Sequence, residues 1–427
     1  MFNENKTITL DSLKSIFSAF EQKLLKQNSV KQIEPQQMDV PTVYITGEVP
    51  TKKENVKAKI EYISKTHRFT AYMKYKLQGS YSLTSPKKNF TIQLFKDKNR
   101  LNPYYENFKG WGKSNRFVLK ADYFDITHAR NIVCAKLWSK VVQSRPDYES
   151  LPEELKNSPN HGATDGFPIL VYLNNEFQGM YTLVIPKDAW MFGMDKNNEN
   201  HVVLNAENND NRNEDFSINP CNFNAPWSGK DGEYWSYEVG SNALESWMGL
   251  YQGFDNYEQL QKSLDISSAI DYYIFQSVTF NLDGLAKNMN LITYDKVKWY
   301  LSVYDLDSTF GLTADQNYSE YVEAWTGDYP YLNQYSRLWE YINVHYMAQL
   351  RERYTELRKG ALSYASIAKE FEDFIGIYGE DEYIKDVSVY PDIPHVAYNN
   401  LNNLRTFIAA RLEFLDSYWL TGGGLDE

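Results

Sequence analysis

Cysteine is nearly absent: Cys134 and Cys221 are the only two in 427 residues, too few for the disulfide framework of a small stapled scaffold. Cys134 stands in an apolar helical run and is expected as a buried thiol, so no disulfide is expected. Histidine is scarce as well. His67, His128, His161, His201, His345 and His395 are scattered without the short spacings of a zinc site. No Gly-x-Ser-x-Gly occurs, which removes the nucleophile elbow of serine hydrolases. No run of about eighteen apolar residues occurs, and the opening MFNENKTITLDSL lacks a basic stretch followed by an apolar one. Neither a membrane span nor a signal peptide is expected, and the chain is read as soluble, cytoplasmic or virion-associated. Positive charge is the minority: 44 Lys and Arg against 56 Asp and Glu give −12, which argues against a general nucleic-acid binder.

What is present is an ordinary globular composition, 42% apolar and 23% charged, with enough length for two or three units. The aromatic share is 15%, with 34 Tyr; most of these rings are expected in the core.

Chemistry concentrates in Asn281 to Leu312, NLDGLAKNMNLITYDKVKWYLSVYDLDSTFGL. Asp283 lies in a polar loop after an apolar helical run, and Asn288 follows five positions later. Two strands are expected next, Met289 to Tyr294 and Lys298 to Tyr304, with Asp295-Lys296 as the turn. The second strand runs into Asp305-Leu306-Asp307, where alternation is expected to put both carboxylates on one side. A hairpin brings Asp283, Asn288, Asp305 and Asp307 together. Phosphoryl transfer needs a carboxylate for the acceptor hydroxyl's proton and oxygen ligands for a divalent ion, which protein kinases supply as D-x-x-x-x-N, a hairpin, then D-F-G. Asp283-(x4)-Asn288 has the first spacing, and Asp305-Leu306-Asp307-(x2)-Phe310-Gly311 is a longer relative of the second.

Elsewhere the pattern is regular. Residues 1–40 read as an amphipathic helix capped by Asp11 and a Gln-rich linker, an arm for attachment or self-association. Extended segments VYITG, VKAKIEYISK, FTAYMKYKLQG and FTIQLF follow Pro41, then Arg116 to Lys120, a helix from about Ala129, and a hairpin around Asn174-Asn175. In the Ser-rich turn before FTIQLF, Lys87 or Lys88 is placed to reach a phosphate oxygen; Lys88 and Lys120 both remain candidates for the phosphate-pairing lysine. Arg130 is a candidate for a phosphate or a structural salt bridge. Asn197 to Gly240 is an Asn- and Trp-rich insertion. Amphipathic helices over Leu338 to Leu357, Ile367 to Ile375 and Ala397 to Trp419 close the chain.

The set Arg116-Phe-Val-Leu-Lys-Ala-Asp-Tyr-Phe-Asp125, Arg130-Asn131, Gly179-Met-Tyr181, Asn281-x-Asp283-(x4)-Asn288 and Trp299-(x5)-Asp305-x-Asp307-(x2)-Phe310-Gly311 resembles the CotH-type atypical kinases of spore coats, over about Ala71 to Trp419. The resemblance implies an α+β, bilobal protein-kinase-like fold, with ATP and Mg2+ between the lobes and Ser or Thr of a protein as acceptor. It implies Asp283 as the catalytic residue, Asp305 as a metal ligand and Trp299 as the ring stacked on adenine; Asn288 and Asp307 are read as further metal ligands beside Asp305, and Tyr181 either as the ring opposite Trp299 or, by default, as a buried core residue. One departure stands out: where the family often has an acidic residue after the Gly-x-Tyr strand, this chain reads Leu183-Val184-Ile185-Pro186.

The expected organisation is an arm (1–40), a β-rich N-terminal lobe (41–184), a connecting region with the insertion (185–264), a helical C-terminal lobe with both acidic loops (265–420) and a tail (421–427). Proteins of this kind also occur among phage and surface structural components, so a virion or attachment protein on a kinase-like scaffold, oligomerising through the N-terminal helix, is the alternative. A metal-dependent phosphohydrolase is a third reading, less suited to the hairpin spacing.

Overall fold

The structure is a computed structural model and describes residues 40–79, 81–195, 197–198, 200–207, 261–281, 284, 287–312, 337–392 and 401–420. The N-terminal arm up to residue 39, residues 208–240 of the insertion and the tail lie outside the described residues, as does Cys221. Two compact units are built from interleaved pieces of chain: one takes residues up to Ala129 with 166–186 and 371–405, the other takes 130–165, 187–370 and 406 onward.

The first unit is a closed barrel of seven strands: β1 (Thr42–Gly47), β2 (Val56–Ile63), β3 (Arg68–Gln78), β4 (Asn89–Phe95), β5 (Arg116–Lys120), β6 (Gly166–Leu173) and β7 (Glu176–Val184). Period-two patterning builds it. In β3, Phe69, Ala71, Met73, Tyr75 and Leu77 point inward and are buried, while the residues between them face out. Antiparallel pairing runs β1-β2-β3-β4-β5-β7-β6, and a parallel β1–β6 ladder, Thr42 opposite Leu170, closes the ring. Closure leaves no open edge. The β6–β7 turn is the expected Asn174-Asn175, with φ of 50° and 69°, the left-handed pair that two-residue hairpins favour. Asn174 also accepts a 3.0 Å bond from the Gly47 amide and so ties this turn to the end of β1.

The bilobal kinase-like fold expected from the sequence is overturned here. The protein remains α+β, but its β-rich part is a barrel returning on itself, not a β lobe followed in chain order by a helical lobe. The physical reason is the β1–β6 ladder, which joins segments more than a hundred residues apart and leaves no trace in local periodicity.

The second unit carries a three-stranded antiparallel sheet, β8 (Val202–Glu207), β9 (Lys287–Thr293) and β10 (Trp299–Val303), in the order β10-β9-β8. Its helices are α1 (Arg130–Gln143), the short α2 (Glu153–Asn157), α3 (Ile266–Thr279), α4 (Arg337–Lys359), the start of α5 (Tyr364–Ile375) and most of α7 (Leu401–Leu420); α6 (Glu380–Val389) belongs to the barrel unit and packs on β7. Arg353 of α4 locks the helices together. Its guanidinium donates to Asp271 on α3 at 2.7 Å and to the carbonyls of Val141 and Ser144 at the end of α1.

His161, buried between α2 and β6 in sequence, bonds Ser139 through Nδ1 at 2.8 Å and Tyr148 through Nε2 at 3.0 Å. Burial pushes its imidazole down to about 4. The unfolded chain binds a proton near pH 6.5, so this residue's contribution is complete above that value and falls as the pH drops towards 4. Wild-type protein is expected to lose at most roughly 3 kcal/mol over that window from this group, and His161→Gln to lose correspondingly less, read from urea unfolding across pH.

Candidate functional site

The site begins with α3, whose N-terminus is capped by Asp265 accepting from the Ser268 amide at 2.7 Å. From Ser268 to Thr279 every residue of this helix is buried; most are apolar, and Asp271, Ser277 and Thr279 are bonded to Arg353 and to carbonyls of the helix itself. Phe280 stops it in a left-handed conformation (φ 57°), its amide returning to the carbonyls of Gln276 and Ser277. Arg411 lies 5.0 Å from the Phe280 ring centre and donates to the Ser277 carbonyl at 2.9 Å. The chain leaves through Asn281, whose Oδ1 accepts from the Gly284 amide at 3.3 Å, while the Tyr272 hydroxyl donates to the Gly284 carbonyl. Asp283 lies between these anchors and outside the described residues. Gly284 lies close against the Gln276 side chain: a β-carbon there would stand 2.6 Å from its amide, so that side chain would have to shift.

The hairpin follows as the sequence suggested. β9 and β10 pair from Met289 opposite Val303 to Thr293 opposite Trp299, and Asp295 Oδ1 accepts from the Val297 and Lys298 amides to tighten the turn. Asn288 sits at a register shift between β9 and β8, with Lys287 and Met289 paired to Glu207 and Ala206. Bulges of this kind re-aim a side chain, and Asn288 adopts φ 57°. β10 stops at Val303, so alternation does not reach the acidic pair as expected. Asp305 instead takes φ 52°, and a turn, not a pleat, sets its direction relative to Asp307. Since Met289 faces Val303, Asn288 and Asp305 lie at the same end of the hairpin. Both are half-buried. Left-handed backbone at two non-glycine residues costs energy and clusters at functional sites, and Asn and Asp bear it best.

The turn is clamped from α1. Asn131 Oδ1 accepts from the Leu306 amide at 3.1 Å, and Arg130 Nε donates to the Thr309 carbonyl at 2.9 Å. Thr309 Oγ1 donates to the Leu306 carbonyl, the Cys134 thiol lies 3.4 Å from the same hydroxyl, and the Phe310 amide donates to the Thr279 carbonyl at 2.6 Å. Arg130, fully buried, is thus a support of the acidic turn. Asn131 was quoted with it in the sequence motif, but its role became visible only through Leu306. Lys187, not singled out from sequence, stands 4.0 Å from the ring centre of Tyr304, the residue before Asp305.

The remaining candidates are placed differently. Trp299 is 1% exposed, and its carbonyl accepts from the Asp265 amide at the start of α3. Tyr181, in β7 of the barrel, is 1% exposed. Lys88 donates to the Leu83 carbonyl at 2.6 Å. Lys120 ends β5 opposite Thr182. The adjacent Lys87 is enclosed completely: its ammonium donates to Asp386 Oδ1 at 2.7 Å and to the Met180 carbonyl at 2.6 Å, with the Tyr181 ring centre 5.1 Å away. Asp386, on α6, also accepts from the Met180 amide at 2.7 Å and meets His128 Nε2 at 3.2 Å. Burial works to raise this carboxyl, but Lys87 and His128 outweigh it and hold it well below the usual carboxylate range. Asp386 carries no sequence signal, being 299 residues from its partner. Gly179 makes the pair possible, with φ 109° and a β-carbon position only 2.1 Å from Asp386 Oδ1.

A bulged Asn288 and a clamped Asp305-Leu306-Asp307 turn, its first Asp left-handed, stand at the end of a hairpin fed by a buried helix, and the family to which the chain is matched is kinase-like. The chain belongs to the CotH family: the family model described as CotH kinase protein matches residues 75–415. No curated protein matches the chain. Among the described residues no helix is long and apolar enough to cross a membrane.

Proposed function

We propose that the protein is a kinase that moves the γ-phosphoryl group of ATP to a Ser or Thr hydroxyl of a protein. The observation that carries this reading is the pair of left-handed polar residues, Asn288 and Asp305, at one end of the β9–β10 hairpin, with Asp307 two positions on and the turn clamped by Asn131 and Arg130. Membership of the CotH family supports it. Asp283 takes the acceptor's proton as the new oxygen–phosphorus bond forms and the bond from γ-phosphorus to the bridging oxygen breaks, with ADP leaving. Asp305, Asn288 and Asp307 would hold Mg2+, which supplies neutralisation of phosphate charge when bound. The donor set fits that ion: Mg2+ takes oxygen ligands and is usually bound by one or two carboxylates plus substrate phosphates. It needs no cage of three protein ligands, and among the described residues no group of three or more His, Cys, Asp or Glu is placed to form one. Lys187 is positioned to add positive charge near Tyr304.

The test is thermal unfolding with ATP and Mg2+, together and separately. A ligand bound only by the folded state adds roughly 2.7 kcal/mol at a hundredfold excess over its dissociation constant. The midpoint is expected to rise only with both present, to lose that rise in Asp305→Asn, and to keep most of it in Asp283→Asn. An equal rise in wild type and Asp305→Asn contradicts the assignment.

A further inference from the structure

The overall charge of −12 conceals a strongly divided chain. Residues 42–120 hold 17 of the 44 Lys and Arg but only 5 of the 56 Asp and Glu, a local charge of +12 that leaves −24 on the rest. Strand alternation turns much of this outward. On β2 and β3, Lys57, Lys59, Lys74 and Lys76 alternate with buried residues and face away from the barrel core. Register then assembles them: Lys57 stands opposite Lys74, Lys74 opposite Gln93, and Gln93 opposite Arg116, a row across four strands at about 4.8 Å per step. Like charges directly opposite each other destabilise a sheet. Among the described residues none of the four lysines forms an ion pair, and Glu61, the acid in the outward positions of β2, is bound to Arg68.

We propose that this outer face of the barrel docks an acidic polypeptide segment. Three features favour a peptide over a nucleic acid. The two rings within the lysine row are covered by cations, Lys59 over Tyr72 at 5.3 Å and Lys74 over Phe95 at 5.2 Å, so they offer no free platform for bases, which single-strand binding requires. The patch is built mainly of lysines, mobile point charges suited to scattered carboxylates, rather than arginine forks matched to phosphates. The −24 carried by the rest of the chain opposes a long polyanion but not a short acidic segment. The choice of a polypeptide rests on the protein-acceptor reading above; the surface itself does not.

The experiment measures binding without catalysis. The full chain is titrated into a labelled peptide of alternating Glu and Ser, with a Gln/Ser peptide and an oligothymidylate of equal charge as comparisons. Binding of the acidic peptide is expected, weakening with added salt, and weakening about tenfold or more in Lys57→Gln/Lys59→Gln/Lys74→Gln/Lys76→Gln, whose thermal midpoint stays the same or rises as repulsion is relieved. The proposal is overturned if that variant binds the acidic peptide as wild type does, if the Gln/Ser peptide binds equally, or if the oligothymidylate binds more tightly and is released by the same substitutions. Peptide binding without the rise in unfolding midpoint by ATP and Mg2+ would leave the docking face standing and remove the kinase; that rise without peptide binding would do the reverse.

Discussion

Asp305→Asn is expected to reduce phosphate transfer from labelled ATP to an acceptor protein by on the order of 10³-fold or more, with folding intact. On the kinase reading proposed above, the magnitude follows from the loss of a charged group that organises the transferred phosphates, where single electrostatic contacts carry rate factors of that size. Asparagine is the informative replacement. It keeps the shape and tolerates the left-handed backbone that Asp305 adopts at φ 52°, so only the charge is lost. Asp305→Ala adds a strained turn, costing roughly 1–2 kcal/mol, and would confuse instability with lost chemistry. Transfer by Asp305→Asn at the wild-type rate would remove this residue from the site.

The largest effect on stability is expected at Gly179→Ala. The new methyl would stand 2.1 Å from Asp386 Oδ1 and 2.9 Å from Lys87 Cε, on a backbone with φ 109°. To admit it, Asp386 must leave an ammonium whose side chain is 0% exposed. Separating a buried pair costs about 3–5 kcal/mol because a charge is left without compensation, against a usual total of only about 5–15. Urea unfolding should therefore show loss of most of the barrel unit's stability, whereas Gln178→Ala, beside it and half-buried, with its side-chain amide only on an exposed bond to the Glu176 carbonyl, should change it by less than about 0.5 kcal/mol. Lys87→Met and Asp386→Leu should each be as damaging as Gly179→Ala, and the double variant less so than their sum, since it removes both charges together. Additive costs would show that the two groups do not act as a pair.

Much of the candidate site's backbone was readable along the chain because its geometry is local. The hairpin, its Asp295 turn and the position of Asn288 and Asp305 at one end all follow from strand patterning within a span of about two dozen residues. The readings that failed were those that extended a local rule past its element. Alternation was carried through Asp305, but β10 ends at Val303, and the direction of that carboxylate depends on Asn131 and Arg130 gripping the turn from another helix. The inward turn of Lys87 onto Asp386 was likewise not readable, since a shift of one residue decides which side of the chain a side chain takes and only the fold shows which of the neighbours Lys87 and Lys88 it is.

Strand and helix identities, the Asn174-Asn175 turn and the family motifs were present in residue order, since each depends on interactions within a few positions. Barrel closure through Thr42 and Leu170, the interleaving of the two units, the Lys87–Asp386 pair and the alignment of lysines across β2 to β5 were not. These arise when segments far apart in the chain compete to bury apolar faces and satisfy buried charge, and that competition is settled by the folded whole.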